Sequence, residues 1–222
     1  MTEQQIQTIS VIGGTGALGG GLARRWARAG YRIVIGSRKA EKAAEAAATL
    51  RSELENVDVD GLDNAAAAAA GDIVALTVPF AHQRPTLEAI RSSLPGKILI
   101  DTTVPLIPPK VARVQLPAEG CAALISQQIV GDDVTVVSAF QNVAADVLAT
   151  DGELDCDVLV CGDKLAARET VISLAEKAGM KAWHAGPLAN SAASEALTSV
   201  LIFINRRHPD HHAGIRITGI GD

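Results

Sequence analysis

A glycine-rich turn near the N-terminus, Gly14-x-Gly16-x-x-Gly19, constrains the fold of this chain more than any other feature. The apolar run Ile6–Ile12 leads into the turn, and a helical pattern over residues 22–26 follows it. A buried strand, such a turn and a helix, in that order, form the motif that binds the pyrophosphate of a dinucleotide. Gly14 permits the tight turn, Gly16 lets the backbone approach the pyrophosphate, and Gly19 lets the helix pack closely on the strand. The pyrophosphate then lies at a helix N-terminus, where free N–H groups attract an anion.

The end of the second predicted strand indicates which dinucleotide is bound. The strand Tyr31–Ile35 is followed by Gly36-Ser37-Arg38-Lys39, and Lys42 lies one helical turn further on. A protein that binds NAD usually carries Asp or Glu at this place for the ribose hydroxyl, and this chain carries neither. A hydroxyl and several cations suit a ribose 2′-phosphate, because Arg can form two parallel hydrogen bonds to it and Lys adds a point charge. The sequence therefore predicts NADP as the cofactor.

Strand and helix patterns alternate along the rest of the chain. The alternation predicts an α/β protein, a Rossmann-type doubly wound parallel sheet with a small C-terminal portion. We expect an NADP-binding Rossmann domain over residues 1–140 and a smaller C-terminal domain over residues 141–222. The further predicted strands cover residues 57–62, 72–79, 97–101, 134–139 and 157–162, and the further helices cover residues 40–55, 65–70, 83–94, 118–128, 142–149, 165–178 and 192–205.

Charge and composition argue against several other classes of protein. The formal net charge of −5 offers no basic surface for nucleic acid, and no stretch is long and apolar enough to span a bilayer. The N-terminus lacks the basic and apolar regions of a signal peptide, and the three cysteines have neither CxxC nor zinc spacing. We therefore expect a cytoplasmic protein with reduced thiols and with no nucleic acid or membrane partner. His208, His211 and His212 are interpreted as a solvated tail whose role stays open, so no metal site is predicted.

Two strand ends meet at the predicted crevice. Residues 77–80 and residues 101–105 both follow buried strands, at the carboxyl edge where ligands of open α/β sheets bind. Groups for acid–base catalysis are scarce there: the single tyrosine, Tyr31, lies inside a strand and Ile35 follows it at the spacing of a Tyr–Lys catalytic pair. His82 and His184 are the remaining candidates. An apolar slot of this kind favours a ring acceptor held at hydride distance, for which positioning supplies most of the catalysis.

The chain resembles, almost end to end, the NADPH-dependent reductases of the 8-hydroxy-5-deazaflavin coenzyme F-420 (also written F420). The resemblance implies an oxidoreductase that transfers a hydride between NADP(H) and coenzyme F420, with the deazaflavin as its small-molecule partner. The motifs that carry it are Gly13-Gly14-Thr15-Gly16-x-Leu18-Gly19, Val34-Ile35-Gly36-Ser37-Arg38, Leu76-Thr77-Val78-Pro79-Phe80-x-His82, Val104-Pro105, Val137-Ser138-Ala139, Val160-Cys161-Gly162-Asp163 and Ala185-Gly186-Pro187-Leu188-x-Asn190-Ser191.

Together, the residues and the resemblance predict two sets of binding residues. The C-terminal domain is expected to complete the acceptor pocket, in which the deazaflavin of the family stacks on nicotinamide. The predicted NADP-binding residues are Gly14, Thr15, Gly16, Ala17, Leu18, Gly19, Ser37, Arg38, Lys42, Thr77, Val78, Pro79 and His82, and the predicted acceptor-pocket residues are Val104, Pro105, Leu188, Asn190 and Ser191.

One departure from the family pattern concerns the strand that ends at Ala139. Archaeal members tend to have His-Thr-Ile-Pro after a Ser-Ala-Leu strand, lining the active site. This chain has Phe140-Gln141-Asn142-Val143-Ala144 after Ser138-Ala139, so Gln141 stands where the family's active-site histidine would be. Gln141 is therefore predicted as the catalytic residue, orienting the deazaflavin or the nicotinamide by hydrogen bonding.

Two other hypotheses stay open. One is a reductase of another acceptor, such as a flavin, an imine or a keto acid, and the Gln141 departure supports it. The other is an NADP-binding sensor without enzymatic activity. The apolar helix over Leu197–Ile204 and the resemblance together suggest a homodimer.

Overall fold

The centre of the molecule is a six-stranded parallel sheet, seen in a computed structural model that describes residues 7–220. Ile6, which begins the predicted first strand, lies outside the described residues. The strands are arranged in the order 3-2-1-4-5-6, which is that of a Rossmann fold, so the predicted fold class is confirmed. They are β1 (Thr8–Ile12), β2 (Arg32–Ser37), β3 (Val59–Asp63), β4 (Ile73–Leu76), β5 (Ile98–Asp101) and β6 (Thr135–Ser138).

Helices cover both faces of this sheet. Residues alternate along each strand, so that Ile9 and Val11 of β1 join one buried cluster and Ile12 joins the other. Both faces of β1, β2 and β4 are buried, which explains why these strands appear in the sequence as continuous apolar runs. β3, at the edge of the sheet, is mostly exposed. The helices are α1 (Ala17–Arg28), α2 (Ala40–Glu53), α3 (Asn64–Ala70), α4 (Phe80–Ile90), α5 (Ala122–Val130), α6 (Leu165–Lys177) and α7 (Ser191–Asn205). In the described part of the chain, none of them is both long and apolar enough to cross a membrane.

A second, smaller sheet follows the first. It contains β7 (Asp157–Val160) and β8 (Lys181–His184), paired in parallel, and an antiparallel bridge between Ser138 and Cys161 connects it to β6. One buried cluster includes Trp26 from α1 and Leu174 from α6, so residues on both sides of position 140 share a core. The division into two domains at this position stays a prediction.

Three predicted helices have clearly different limits in the structure. The helix predicted over residues 83–94 is α4, which spans Phe80–Ile90 and is followed by a 3-10 turn at Arg91–Ser93. The helix predicted over residues 118–128 begins at Ala122, because Gly120 has a φ of +98° and lies in a left-handed conformation that no right-handed helix accepts. Residues 142–149 contain only a 3-10 turn at Ala145–Ala149. Asp63-Asn64 before the alanine run at residues 65–70 predicts a helix cap, and the Asp63 carboxylate accepts hydrogen bonds from the backbone N–H groups of Ala65 and Ala66.

Arg25 and Trp26 of α1 bind the segment that follows β6 to the six-stranded sheet and its helices, which are called the Rossmann part below. The indole Nε1 of Trp26 donates to the carbonyl of Leu174 at 2.9 Å. Arg25 is 8% exposed, and within residues 7–220 its guanidinium donates to backbone carbonyl oxygens alone. They belong to Leu148 (3.0 Å), Gly152 (2.9 Å), Ala178 (2.7 Å), Thr150 (2.5 Å) and Val147 (3.4 Å). Burial, with a smaller effect of the Arg28 charge, lowers the pKa of this guanidinium from its ordinary value.

Candidate functional site

The glycine turn connects β1 to α1 through short backbone hydrogen bonds. Gly13, with a φ of +85°, donates its N–H to the Gly36 carbonyl at 3.0 Å, and the Gly16 N–H donates to the Gly13 carbonyl at 2.9 Å. α1 begins directly afterwards at Ala17, with no side chain capping its start and no acidic residue in its first turn. The first-turn N–H groups of a helix have no acceptor within that helix. The start of α1, directly after the turn, therefore presents unpaired donors and a positive helix end to an anion.

Gly19 lies at the closest approach of α1 to the sheet. A Cβ atom at this position would lie 2.4 Å from Thr77 Oγ1 and 2.9 Å from both the Gly13 carbonyl oxygen and Gly14 Cα. Thr77 is itself held, because its hydroxyl donates to the Ile12 carbonyl at 2.9 Å. Only glycine fits between the helix and the strand ends, as the sequence predicts for the third glycine of the motif.

A cleft of about 760 Å³ opens at the carboxyl edge of β1, β2 and β4. Nine of the thirteen predicted NADP-binding residues line it: Thr15, Gly16, Ser37, Arg38, Lys42, Thr77, Val78, Pro79 and His82. The other four, Gly14, Ala17, Leu18 and Gly19, belong to the turn and the first turn of α1 beside it. The cleft is also lined by residues absent from the predicted set, namely Gly13, Lys39, Asn64, Pro85, Thr86 and Ala89. Gly13 and Lys39 adjoin predicted residues in sequence, whereas the other four are brought to the cleft by β3 and α4.

One end of this cleft is strongly cationic. Arg38, Lys39 and Lys42 are exposed there, and Ser37 is buried at the end of β2 with its hydroxyl accepting from the Lys39 N–H at 3.4 Å. The carboxylate opposite Ser37 in the strand register is that of Asp63. This carboxylate caps α3, and within residues 7–220 it forms no ion pair with the cations at the end of β2. This end of the cleft suits a doubly charged phosphate group.

The five predicted acceptor-pocket residues differ from one another in how far they are buried. Leu188 is buried in the same apolar cluster that Val78 packs against, and Pro105 is also buried, while Val104 is partly exposed. Ser191 is buried and its hydroxyl donates to the Leu188 carbonyl at 2.6 Å, whereas Asn190 is exposed and its amide donates to the Ala185 carbonyl at 2.8 Å. None of the five lines the cleft described above. Their role in binding the acceptor stays a prediction.

Gln141 lies inside the protein at the ends of β5 and β6. It is 6% exposed, and its amide nitrogen donates to the Asp101 carbonyl at 2.9 Å and to the Ser138 hydroxyl at 2.8 Å. Its amide oxygen is buried with no hydrogen-bond partner among residues 7–220. The side chain therefore connects two strand ends, and no sequence pattern around Gln141 indicates that it is buried. Its catalytic assignment stays a prediction.

A buried polar network lies behind these strand ends. The Asp101 carboxylate accepts from the Gln83 amide at 2.9 Å and from the Ser126 hydroxyl at 2.5 Å. Glu195 of α7, 1% exposed, accepts from the backbone N–H groups of Ala122 and Ala123 at the start of α5. Burial raises the pKa of the Glu195 carboxyl to about 8, against the opposing effect of these two hydrogen bonds. Glu195 thus fixes α7 to the Rossmann part, a contact that no local pattern in the sequence indicates.

This sheet order, an uncapped helix after a glycine turn and a cationic cleft at the carboxyl edge define a dinucleotide-binding protein of the Rossmann class. The family described as NADP oxidoreductase, coenzyme F420-dependent, matches residues 8–105. The F420-dependent NADP reductase of Methanothermobacter thermautotrophicus is 41% identical over 99% of this chain and 98% of its own length. That of Methanocaldococcus jannaschii is 40% identical over 96% of this chain and 98% of its own length. The chain belongs to the family of F420-dependent NADP reductases, and the resemblance found in the sequence is confirmed.

Solved structures show the same fold. A candidate F420-dependent NADP reductase from Arthrobacter sp. FB24 has a TM-score of 0.79 and 24% identity, covering 96% of this chain and 99% of that one. A pyrroline-5-carboxylate reductase from Coxiella burnetii has a TM-score of 0.62 and 16% identity, covering 92% of this chain and 69% of that one. At these identities the likeness concerns the fold alone.

Proposed function

We propose that this protein transfers a hydride between NADP(H) and coenzyme F420, and that the cleft beside the glycine turn holds the NADP(H). One observation carries the NADP assignment: a single cleft contains an uncapped helix start together with Ser37, Arg38 and Lys42. Membership of the family supports the deazaflavin assignment, because relatives about 40% identical over nearly the whole chain are F420-dependent NADP reductases.

The residues around the turn fit a dinucleotide. A Cβ at Gly16 would meet only the Gly13 carbonyl oxygen, at 3.4 Å, so that the backbone there is open towards the cleft. At Gly19, by contrast, the space is filled by the protein itself. Gly16 therefore serves close approach by the ligand, and Gly19 serves packing of the helix on the strands.

Binding and orientation are the chain's contribution to the reaction. NADPH supplies the hydride when it is bound, or NADP takes it in the reverse direction. The first-turn N–H groups of α1 bind the pyrophosphate, and Ser37, Arg38 and Lys42 bind the 2′-phosphate. Residues 77–79 form the wall of the cleft next to the apolar cluster around Leu188, where we place the reacting rings. Orientation of two bound reactants lowers the barrier without a titrating group.

An absorbance assay tests this function. Purified protein is mixed with NADPH and, separately, with oxidised deazaflavin, free flavin, an imine or a keto acid, and the absorbance of each reactant is followed. We expect turnover with the deazaflavin alone. Turnover with another acceptor alone would contradict the F420 assignment, and NADPH binding without turnover on any acceptor would indicate a sensor.

Arg38→Ala is expected to weaken NADPH binding tenfold to a hundredfold and to leave NADH binding nearly unchanged. A hydrogen bond to a charged group contributes roughly 1.5–3 kcal/mol, and only NADPH has the 2′-phosphate. Titration calorimetry with both nucleotides measures the two affinities. Arg32→Ala is the matched control, because Arg32 lies at the opposite end of the same strand and pairs with Asp60. Equal losses for NADPH and NADH in Arg38→Ala would contradict the 2′-phosphate assignment.

Variants of Gln141 test whether it acts by position rather than by moving a proton. Gln141→Ala is expected to raise the Michaelis constant for the deazaflavin more than it lowers kcat, because it releases two strand ends that flank the proposed pocket. Gln141→His is expected to change the rate by about tenfold at most, equivalent to about 1.4 kcal/mol. Steady-state rates over pH 5–9 with deazaflavin and with free flavin measure both. A gain of several orders of magnitude in deazaflavin reduction by Gln141→His would favour an acceptor other than F420 for the native protein.

We also propose that the protein is a cytoplasmic homodimer without a nucleic acid partner. α7 exposes Val200, Phe203 and Ile204, spaced as one helical face, and two copies that meet at this face would bury both patches. Sedimentation of the wild type at twice the chain mass, and of Phe203→Glu at the chain mass, is the expected result. A monomeric wild type would contradict the proposal.

A further inference from the structure

Asn64 lies at the cationic end of the cleft, although it is far in sequence from the residues predicted there. β2 and β3 run in parallel with Ser37 opposite Asp63, and the residues that directly follow these two strands are Arg38 and Asn64. Asn64 lines the cleft together with Ser37, Arg38 and Lys42. The sheet register therefore places a carboxamide at the edge that carries the proposed 2′-phosphate site.

The carboxamide of Asn64 is packed but has no hydrogen bond among the described residues. Its oxygen Oδ1 is buried beside Gly36 of β2, without a hydrogen-bond partner in the described part of the chain. A Cβ at Gly36 would lie 3.1 Å from this oxygen, 2.9 Å from Ile12 Cδ1 and 3.2 Å from Ala67 Cβ. Glycine at position 36 thus provides the space that the carboxamide occupies. With the oxygen directed inwards, the amide NH₂ group is the part of the side chain left for the cleft.

We propose that Asn64 is a specificity-determining residue, whose amide donates a hydrogen bond to the 2′-phosphate of NADP(H). The inference rests on the proposed NADP site. A neutral N–H donor strengthens the binding of a phosphate oxygen, whereas a carboxylate at the same place would repel it. The neighbouring Asp63 does not line the cleft, and its Oδ1 accepts from two backbone N–H groups, so the lining at this edge presents donors and cations to the ligand.

Binding of two nucleotide fragments separates the 2′-phosphate from the rest of the ligand. Titration calorimetry is carried out with adenosine 2′,5′-bisphosphate and with adenosine 5′-monophosphate on the wild type, Asn64→Ala and Asn64→Asp. We expect Asn64→Ala to bind the bisphosphate about tenfold more weakly and Asn64→Asp about a hundredfold more weakly. The affinity of each variant for the monophosphate should stay within about twofold of the wild-type value.

Control variants keep the test decisive. Ala89→Asp adds the same charge to the α4 wall of the cleft and should not reproduce the selective loss. Asn64→Ser retains a hydrogen-bond donor, and it replaces Asn64→Ala in the test if thermal unfolding shows that Asn64→Ala is poorly folded. Equal losses for both fragments, or no loss for either, would overturn the role of Asn64. A wild type that does not prefer the bisphosphate would instead contradict the proposed NADP site itself, which distinguishes the two failures.

Discussion

Replacing Gly19 by valine is expected to abolish NADPH binding and to leave a folded but less stable protein. The first added atom already falls 2.4 Å from Thr77 Oγ1 and 2.9 Å from the backbone of the glycine turn, so α1 must move away from the strand ends. Thr77 cannot yield freely, since its hydroxyl is bonded to the Ile12 carbonyl. Overpacking of this kind costs roughly 1–3 kcal/mol of unfolding free energy. Displacing the helix start moves the pyrophosphate donors, and we expect a loss in NADPH affinity of at least about a hundredfold.

Two other glycines of the same turn and helix provide the controls. Gly20→Ala adds a Cβ one residue further on, where its nearest neighbour is the Gly14 carbonyl oxygen at 3.3 Å, and it should change NADPH affinity much less. Gly16→Ala should lose NADPH binding without losing stability, because its Cβ would meet only the Gly13 carbonyl oxygen, at 3.4 Å, at the edge of the cleft. Calorimetry and thermal unfolding of the three variants separate packing from ligand approach. Wild-type NADPH affinity in Gly19→Val would show that the motif is not the binding turn.

Much of the Rossmann part could be predicted from the sequence because its signals are local. A buried parallel strand is a continuous apolar run, as in Ile73–Leu76, and the glycine turn marks the junction of β1 and α1. Nine cleft residues could be assigned in advance for the same reason, since each lies at a strand end or within a recognisable motif. The family identification, confirmed by relatives about 40% identical, adds the acceptor to this local information.

What the sequence did not reveal depends on contacts between distant segments. Asn64 appears in the sequence only as part of a helix cap, and the register of β2 and β3 is needed to bring it beside Arg38. Gln141 follows a strand, as a ligand-facing residue would, yet its amide turns inwards to Asp101 and Ser138. Glu195 bonds to backbone N–H groups more than seventy residues away. Side-chain direction after a strand end is set by such partners rather than by sequence spacing.

Arg25 makes such distant contacts, since its guanidinium donates to backbone carbonyls more than a hundred residues away. Arg25→Met is expected to lower the free energy of unfolding by roughly 3–5 kcal/mol. The variant keeps the apolar stem of the side chain but leaves buried carbonyl oxygens without donors, and each unsatisfied group costs roughly 1–3 kcal/mol. Some of this loss is offset because methionine removes a buried charge, which costs desolvation energy in the native protein. Denaturant unfolding measures the difference, and Arg25→Lys should retain part of the stability because an ammonium group has only three donors.

The neighbouring arginine makes the comparison specific. Arg28 lies one helical turn further along α1, is exposed and pairs with the exposed Asp151, so Arg28→Met should change the unfolding free energy by about 1 kcal/mol or less. Because Arg25 lies at the end of α1 opposite the glycine turn, folded Arg25→Met should bind NADPH with nearly native affinity. Equal destabilisation by the two variants would show that the five carbonyl contacts add nothing beyond surface charge. A selective loss of NADPH affinity in Arg25→Met at unchanged stability would instead place this residue in the binding site, against the geometry of the helix.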